Sequence, residues 1–141
     1  MQWIDYFGSQ QKAKKAYSRL LEPVCRQWGL NRTEVDILLF LHNNPGLDRA
    51  ADIVNRRGLA KSHVSVGLAA LEARQLVRRR PDETDRRATR LALTEQGVAV
   101  AEDARIAQRS FFFSIYEGIT PEEFALWQSI LQRVCKNIER L

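Results

Sequence analysis

Apolar side chains recur at helical spacing near both ends of the chain. Residues 9–28 predict a long first helix, because apolar positions return every three or four residues along a single stripe. This stripe contains Ala13, Ala16, Tyr17, Leu20, Leu21, Val24, Cys25 and Trp28. A similar C-terminal stripe contains Phe124, Trp127, Ile130, Leu131, Val134, Cys135, Ile138 and Leu141. Thr120, Pro121 and Glu123 predict where the last helix begins, as N-cap, first helical residue and capping-box partner.

The same periodicity predicts a central helix and a long fifth helix. Thr33 is the expected N-cap of the central helix, with Asp36 as its capping-box partner. Residues 35–41 are apolar apart from Asp36, so this helix should be covered on most sides. The fifth helix should begin at Thr94 and end at Gly118. Its inward face is predicted to contain Val98, Ala101, Ala104, Gln108, either Phe111 or Phe112, and Ile115.

Between these helices, residues 48–94 have the pattern of two short helices followed by a hairpin. The first helix, residues 48–57, should start at Asp48 as N-cap and stop at Gly58. The second helix is predicted at residues 62–74. The inward positions are Ala51, Ile53 and Val54 in the first helix and Val64, Leu68 and Leu71 in the second. Two short helices in this order predict a helix-turn-helix.

Two short strands, residues 76–80 and 89–93, should follow the second helix. Residues 81–87 join them and contain turn formers that can order a loop through local hydrogen bonds. These turn formers are Asp82, Thr84 and Asp85. The fold class predicted from the pattern is therefore mainly α with a small β-hairpin, that is, a winged helix-turn-helix flanked by N- and C-terminal helices.

The positive charge of the chain is concentrated in this middle region. The net charge is +5, and residues 56–90 carry ten basic and four acidic side chains, a net charge of +6. The other 106 residues therefore carry a net charge of −1. A polyanion that binds the basic region would release counterions, and duplex DNA is the obvious candidate. A solvated basic surface without a partner is the alternative interpretation of the charge alone.

The second short helix has an outer face that is small, polar and nearly uncharged. The candidate DNA-contacting residues on it are Lys61, Ser62, His63, Ser65 and Val66, with Ala69 on the same face. Hydroxyl groups bond base edges or phosphates, and small apolar side chains contact thymine methyl groups. In the hairpin loop the candidates are Thr84, Asp85, Arg86 and Arg87. Asp85 is expected to hold an arginine side chain extended toward a minor groove, where arginine reads groove width.

Few residues favour enzymatic chemistry. His42 and His63 are the only histidines, and the sequence has no glycine-rich phosphate loop and no metal-spaced cluster, so we predict no cofactor and no enzyme. Cys25 and Cys135 fall on apolar stripes, which favours packed thiols over a redox role. No apolar run approaches the roughly 18 residues of a membrane span, and the N-terminus lacks the pattern of a signal peptide, which predicts a cytoplasmic protein.

Several motifs together resemble the MarR family of winged-helix transcriptional regulators. They are Lys61-Ser62-His63-Val64-Ser65, Leu68, Leu71-Glu72, Leu76-Val77-Arg78, Asp82, Asp85-Arg86-Arg87 and Leu93-Thr94-Glu95-Gln96-Gly97. The resemblance covers essentially the whole chain as one domain, residues 1–141. It implies DNA binding by residues 33–94 and dimerisation through residues 1–32 and 95–141.

The resemblance also implies a homodimer that acts on a pseudo-palindromic operator, as a repressor in the way common to this family. Residues 62–74 would lie in the major groove, and Arg87 or Arg86 at the minor groove. Small, often aromatic, acidic effectors or oxidants commonly release such proteins from DNA. The sequence departs from the family pattern at Val66-Gly67, at Gln75 in place of glycine, and in lacking the N-terminal cysteine of the peroxide-sensing branch. The alternative function is a winged helix that binds DNA non-specifically or binds protein, without effector sensing.

Overall fold

The structure is a computed structural model that describes the backbone of residues 3–141 and the side chains of residues 5–141. The described elements are α1 (Trp3–Trp28), α2 (Arg32–Asn43), α3 (Ala50–Asp52) with a π-helical turn after it (Ile53–Arg57), α4 (Lys61–Ala73), β1 (Val77–Pro81), β2 (Thr89–Leu93), α5 (Glu95–Ile115) and α6 (Pro121–Ile138). The strands pair antiparallel, with Val77 opposite Leu93. The predicted fold class, mainly α with a β-hairpin, is confirmed. Two compact units divide the chain, Met1–Phe111 and Phe112–Leu141.

Helix α2 lies in the core of the first unit. Its residues 35–40 are all buried, and it packs against α1, α4 and β2, which confirms the prediction of a covered central helix. Val64, Leu68 and Leu71 of α4 are each at most 1% exposed, so the predicted inward stripe of this helix is also confirmed. Because α4 is fixed to the core by one apolar face, its opposite face is presented outward.

The start of α2 differs from the prediction. Its N-cap is Asn31 and not Thr33, because the Asn31 side chain accepts a hydrogen bond from the main-chain N–H of Glu34 at 2.9 Å. The Glu34 carboxylate in turn accepts from the Asn31 N–H at 3.0 Å. Asparagine and glutamate form the stronger capping box here. Asp36 is therefore not a capping residue.

The start of α3 also differs. Arg49 and not Asp48 is its N-cap, and the Arg49 main-chain N–H donates to the Asp52 carboxylate at 3.0 Å. Ala51 is exposed, so the prediction that it faces inward was wrong. The apolar face is formed by Ala50, Ile53 and Val54, because a spacing of 3 and 1 places these residues on the same side of a helix.

The inward face of α5 starts one residue earlier than predicted. Its buried residues are Gly97, Val100, Ala101, Ala104 and Phe111. Val98 is 38% and Ile115 is 45% exposed, so the prediction was wrong for both residues, and Phe111 is buried where Phe112 is exposed. Gly97 sets this register, since a Cβ atom there would overlap the main-chain oxygen of Leu76. The close approach of α5 to Leu76 thus requires a glycine.

The apolar stripes at the two ends are only partly covered in a single chain. Leu21 and Val24 of α1 are buried, but Leu20 is 38% exposed. In α6, the exposed apolar residues are Leu126, Trp127, Ile130, Leu131, Val134 and Ile138, each between 41% and 61% exposed. The predicted N-cap Thr120 and its capping box with Glu123 are confirmed at the start of α6. Helix α1 begins at Trp3, earlier than the predicted residue 9.

Candidate nucleic-acid interface

The outward face of α4 carries the residues singled out in the sequence. Lys61, Ser62, His63, Ser65 and Val66 are all exposed, and so is Ala69. Val66 is 71% exposed, so its side chain is available for an apolar contact. Gly67 is buried instead and lies so close to α2 that a Cβ atom there would come within 2.8 Å of the Ile37 side chain. A side chain at this position would therefore require the Ile37 side chain to shift.

The first turn of α4 has no side-chain cap. Its N-cap residue is Ala60, and among the described residues no side chain accepts a hydrogen bond from the first main-chain N–H groups. Such groups are commonly satisfied by water or by an anion at the positive end of the helix. Lys61 adds a cation in the same turn, which is unfavourable to the isolated helix but favourable to a nearby phosphate.

The hairpin loop, or wing, is folded by the carboxylate of Asp82, which is 2% exposed. Its Oδ1 accepts hydrogen bonds from the main-chain N–H of Thr84 at 2.9 Å and from the Thr84 hydroxyl at 2.8 Å. The Asp85 carboxylate accepts from the main-chain N–H of Arg87 at 3.0 Å. Asp85 therefore orders the main chain of the wing, whereas the sequence had suggested that it holds an arginine side chain. The guanidinium groups of Arg86 and Arg87 lie at the exposed tip.

The base of the wing is joined to the helix-turn-helix by ion pairs. Asp82 Oδ2 lies 2.6 Å from Arg49 Nη2 and 3.0 Å from Arg90 Nε. Asp48 Oδ1 lies 2.7 Å from Arg90 Nη1, and the Asp48 carbonyl accepts from the N–H of Leu91 at 2.7 Å. These contacts also explain why Arg80 and Arg90 tolerate directly opposed positions in the hairpin, since Asp48 lies near both guanidinium groups.

Hydrogen bonding to the charged form shifts the titration of this cluster. The main-chain N–H and hydroxyl of Thr84, and then the Arg49 guanidinium, hold the pKa of Asp82 far below its ordinary value. The hydrogen bond to Asp82, followed by that to Asp48, raises the pKa of Arg90. Asp82 and Arg90 are thus both charged at neutral pH. Sequence reasoning identified Asp82 as a turn former but did not pair it with Arg49, which is 33 residues away along the chain, or with Arg90 on the second strand.

A second ionic cluster occupies the core side of the helix-turn-helix. The carboxylate of Asp36, whose residue is 5% exposed, lies 3.1 Å from Arg32 Nε and 3.2 Å from Arg57 Nη2. Arg32 also donates to the Ser18 hydroxyl at 2.7 Å. This cluster connects α1, α2 and the π-helical turn after α3. The Arg57 guanidinium is therefore paired with a carboxylate of the protein itself.

The ion pairs reduce the number of cations that a partner could meet. All of residues 56–90 are described, and five of their basic side chains have no acidic partner: Arg56, Lys61, Arg78, Arg86 and Arg87. Arg74 also has no acidic partner, but its guanidinium donates hydrogen bonds to main-chain carbonyl groups. Arg79 is paired with Glu72 at 2.7 Å. The positive charge available to a partner is thus found at the start of α4, in the π-helical turn after α3, on β1 and in the wing.

A groove of about 360 Å³ lies between α3, α4 and β1. It is lined by Ala50, Ala51, Val54, Asn55, Lys61, Val64, Ser65, Leu68 and Arg79. Its lining is mostly apolar and includes Lys61 and Arg79. Because Arg79 is paired with Glu72, Lys61 is the cation that could meet the anionic group of a small apolar molecule. The groove shares Lys61 and Ser65 with the outward face of α4.

The other candidate groups have more limited roles. Burial raises the pKa of the Cys25 thiol, which disfavours the reactive thiolate, and the predicted packing of Cys135 is not found because this residue is exposed. No cluster of three or more potential metal ligands occurs in the described part of the chain. No described helix has the length and apolar character needed to cross a membrane.

The two short helices, the outward α4 and the paired strands define the class of winged helix-turn-helix proteins. A model of the MarR family matches residues 28–88. A crystal structure of a MarR-family transcriptional regulator from Silicibacter pomeroyi is 26% identical with a TM-score of 0.81, over 96% of this chain and 90% of that one. The transcriptional regulator PA3341 is also 26% identical, with a TM-score of 0.82 over 96% of this chain and all of that one.

A curated relative is the uncharacterized HTH-type transcriptional regulator YdgJ of Bacillus subtilis (strain 168). It is 24% identical over 113 residues, which are 80% of this chain and 68% of the relative. The MarR-family match over residues 28–88 and these structural neighbours support a MarR-family winged-helix transcriptional regulator. Its relatives are regulators and not enzymes, as the sequence predicted.

Proposed function

We propose that this protein is a homodimeric, sequence-specific regulator that represses transcription by binding a pseudo-palindromic operator. The observation that carries the proposal is the combination of an exposed, nearly uncharged face on α4 with an arginine-tipped wing that an ion pair joins to the helix-turn-helix. In this arrangement the helix enters a major groove and the wing lies over an adjacent minor groove. A regulator of this kind acts in the cytoplasm, with the chromosome.

Each group of site residues has a separate role in this proposal. Ser62, His63, Ser65 and Val66 read base edges, while Lys61 and the uncapped first turn of α4 bind a phosphate. Arg86 and Arg87 bind the minor groove, and Thr84 and Asp85 keep the loop in shape. Asp82 supports the whole wing from its buried position.

The proposed dimer is formed by residues 1–32 and 95–141, with residues 33–94 as the DNA-binding region. The support is the row of large apolar side chains on α6 that a single chain leaves exposed. Soluble monomers rarely expose so many adjacent apolar residues. A twofold dimer would place two copies of α4 on successive major grooves, which is why the operator should be a pseudo-palindrome.

A small aromatic acid is the proposed effector. A structural neighbour, Bordetella bronchiseptica BpsR, has a structure titled for the regulation of its DNA binding by 6-hydroxynicotinic acid. In this chain the groove beside α4 has a mostly apolar lining that includes Lys61, a cation without an acidic partner among the described residues. A ligand bound there would compete with DNA for Lys61 and Ser65. Thermal-shift screening of aromatic acids, followed by DNA competition, tests this part of the proposal.

Fluorescence anisotropy with duplexes from the DNA upstream of the protein's own gene tests the central proposal. We expect one duplex to bind at least about a hundredfold more tightly than a scrambled duplex of the same composition. Light scattering of that complex should give two chains per duplex. Equal affinity for both duplexes would instead support the alternative, a winged helix that binds DNA non-specifically.

A further inference from the structure

The C-terminal end of the recognition helix α4 is held by an arginine that makes no ion pair with any described residue. Arg74 is the C-cap residue of α4. Its Nη1 donates a hydrogen bond to the carbonyl oxygen of Gly29 at 2.8 Å, and its Nη2 donates to that of Trp28 at 2.6 Å. Both acceptors lie at the C-terminal end of α1. One guanidinium therefore joins the ends of two helices.

These carbonyl groups are suitable acceptors for a cation. The last carbonyls of a helix have no partner within it, and the C-terminal end carries the negative part of the helix dipole. Gly29 has a φ of +62°, which turns the chain out of α1 and leaves its carbonyl accessible. The planar guanidinium binds two neighbouring oxygens at once, which a lysine ammonium matches less well.

The same end of α4 is fixed on its other side by hydrogen bonds from the start of α5. The main chain passes through a left-handed residue at Gln75, and the N–H of Leu76 donates back to the carbonyl of Leu71 at 2.9 Å. The Thr94 hydroxyl, just before α5, donates to the carbonyl of Gln75 at 2.7 Å. The end of α4 is thus held between α1 and the start of α5.

Trp28 connects these contacts to a second point on α5. Its carbonyl accepts from Arg74, while its indole N–H donates to the Asp103 carboxylate at 2.9 Å. Movement of α5 relative to α1 would therefore act on the residue that Arg74 holds. The distance from Arg74 to the first turn of α4 is large, since the 13 residues of this helix span about 20 Å at about 1.5 Å per residue. A small tilt at Arg74 would displace the base-reading residues of the first turn.

We propose that Arg74 is a positioning residue for DNA recognition, which sets the orientation of α4 by holding its C-terminal end on the last carbonyls of α1. The inference rests on the proposed function, because it concerns how the DNA-reading face is aimed. Arg74 acts through α4 and does not bind DNA itself. Its loss should therefore reduce sequence preference more than the general affinity for DNA.

Arg74→Gln and Arg74→Lys test the proposal, with Arg26→Gln as the matched control. Arg26 is exposed on α1, carries the same charge and forms no ion pair within the part of the chain that the structure describes. For each variant, anisotropy gives the affinity for the preferred upstream duplex and for its scrambled version at several salt concentrations. Thermal unfolding confirms that each variant is folded at the assay temperature.

We expect Arg74→Gln to bind the preferred duplex roughly tenfold more weakly, the loss expected on removing a charge-assisted hydrogen bond. Its affinity for scrambled DNA and its salt dependence should equal those of Arg26→Gln, and Arg74→Lys should lie between Arg74→Gln and the wild type. Unchanged preference in folded Arg74→Gln would overturn the proposal. So would equal losses for both duplexes with a smaller salt dependence, since that pattern indicates a direct phosphate contact. If Arg74→Gln does not fold, wild-type preference in Arg74→Lys is the overturning result.

Amide hydrogen exchange tests the contact without DNA. We expect faster exchange at the C-terminal end of α4 in Arg74→Gln than in Arg26→Gln, because the end of the helix would open more often. Equal exchange would contradict the proposal. Hydrogen exchange distinguishes failure of the Arg74 proposal from failure of the proposed function. A wild-type protein without sequence preference would refute the proposed function, but the exchange rates would still show whether Arg74 holds the end of α4.

Discussion

The Asp82 carboxylate lies 2.6 Å from the Arg49 guanidinium, so the wing loop is bonded to the residue that begins the first helix of the helix-turn-helix. Arg90 completes the contact from the second strand of the hairpin. The two elements proposed to contact different grooves of DNA are therefore connected by a charge cluster whose central carboxylate is nearly inaccessible. Their relative position depends on Asp82 more than on the flexible side chains at the wing tip.

Asp82→Asn should weaken binding to the preferred duplex about tenfold, because the wing loses two charge-assisted hydrogen bonds that orient it. Glu83→Gln is the control, since Glu83 is exposed in the same loop and changes the charge equally. Both variants become more positive, which by itself would favour DNA binding. Anisotropy that shows equal affinities for the two variants would contradict this role of Asp82.

The same carboxylate should make stability depend on pH in the acid range. Its pKa is lowered by folding, so its contribution to the free energy of unfolding is complete above the unfolded pKa of about 3.9 and is lost as pH falls toward the folded value. Denaturant unfolding of the wild type and Asp82→Asn should therefore differ most near pH 7, and the difference should shrink below about pH 4. A difference that stays constant from pH 7 to pH 3 would exclude this linkage.

Gly97→Ala should destabilise the protein by about 1–3 kcal/mol, because the new Cβ atom would overlap the Leu76 main-chain oxygen and force α5 away. Gly8→Ala in α1 is the matched control, since apart from its chain neighbours and the nearby backbone of α1 itself no described atom lies within 4 Å of the point that its new methyl group would occupy. Alanine is the better helix former, so the control should be neutral or up to about 1 kcal/mol more stable. Denaturant unfolding gives the free energy of unfolding of both variants. We expect it to fall for Gly97→Ala and to stay the same or rise for Gly8→Ala.

Gln75→Gly should stabilise the protein by about 0.5–1 kcal/mol, because a φ of +56° strains any residue with a side chain. The gain is partly offset by the greater freedom of glycine in the unfolded chain. Gln75→Ala keeps the strain and serves as the comparison. Thermal or denaturant unfolding that ranks alanine at or above glycine would show that the left-handed turn is not the source of strain.

Arg87→Ala should weaken binding to both preferred and scrambled duplexes and reduce the slope of log Kd against log salt by about 1, because one cation no longer displaces a counterion from the DNA surface. Arg109→Ala is the charge-matched control, because Arg109 is exposed on α5 and has no acidic partner among the described side chains. The control should keep the wild-type slope. Identical slopes in the two variants would place Arg87 away from the DNA.

Local patterns in the sequence were enough to predict much of the fold. The inward face of α4 followed from the spacing of Val64, Leu68 and Leu71, and the hairpin followed from strand patterns around a turn-forming loop. Helical spacing and turn chemistry depend on residues close along the chain, which is why these predictions were confirmed. The exposed residues of α4 were identified in the same way.

Only the tertiary structure decided which acidic residues support the candidate site. Asp48 suited a helix cap and Asp36 a capping box, yet both form ion pairs with arginines, and Asp82 meets Arg49 from a position 33 residues away. These pairings also decided which cations remain available to DNA. Whether an arginine is paired depends on which elements the folded chain brings together, and no local pattern contains that information. The sequence by itself determined the order of the elements and most of their buried faces, while the tertiary structure determined where their charges meet.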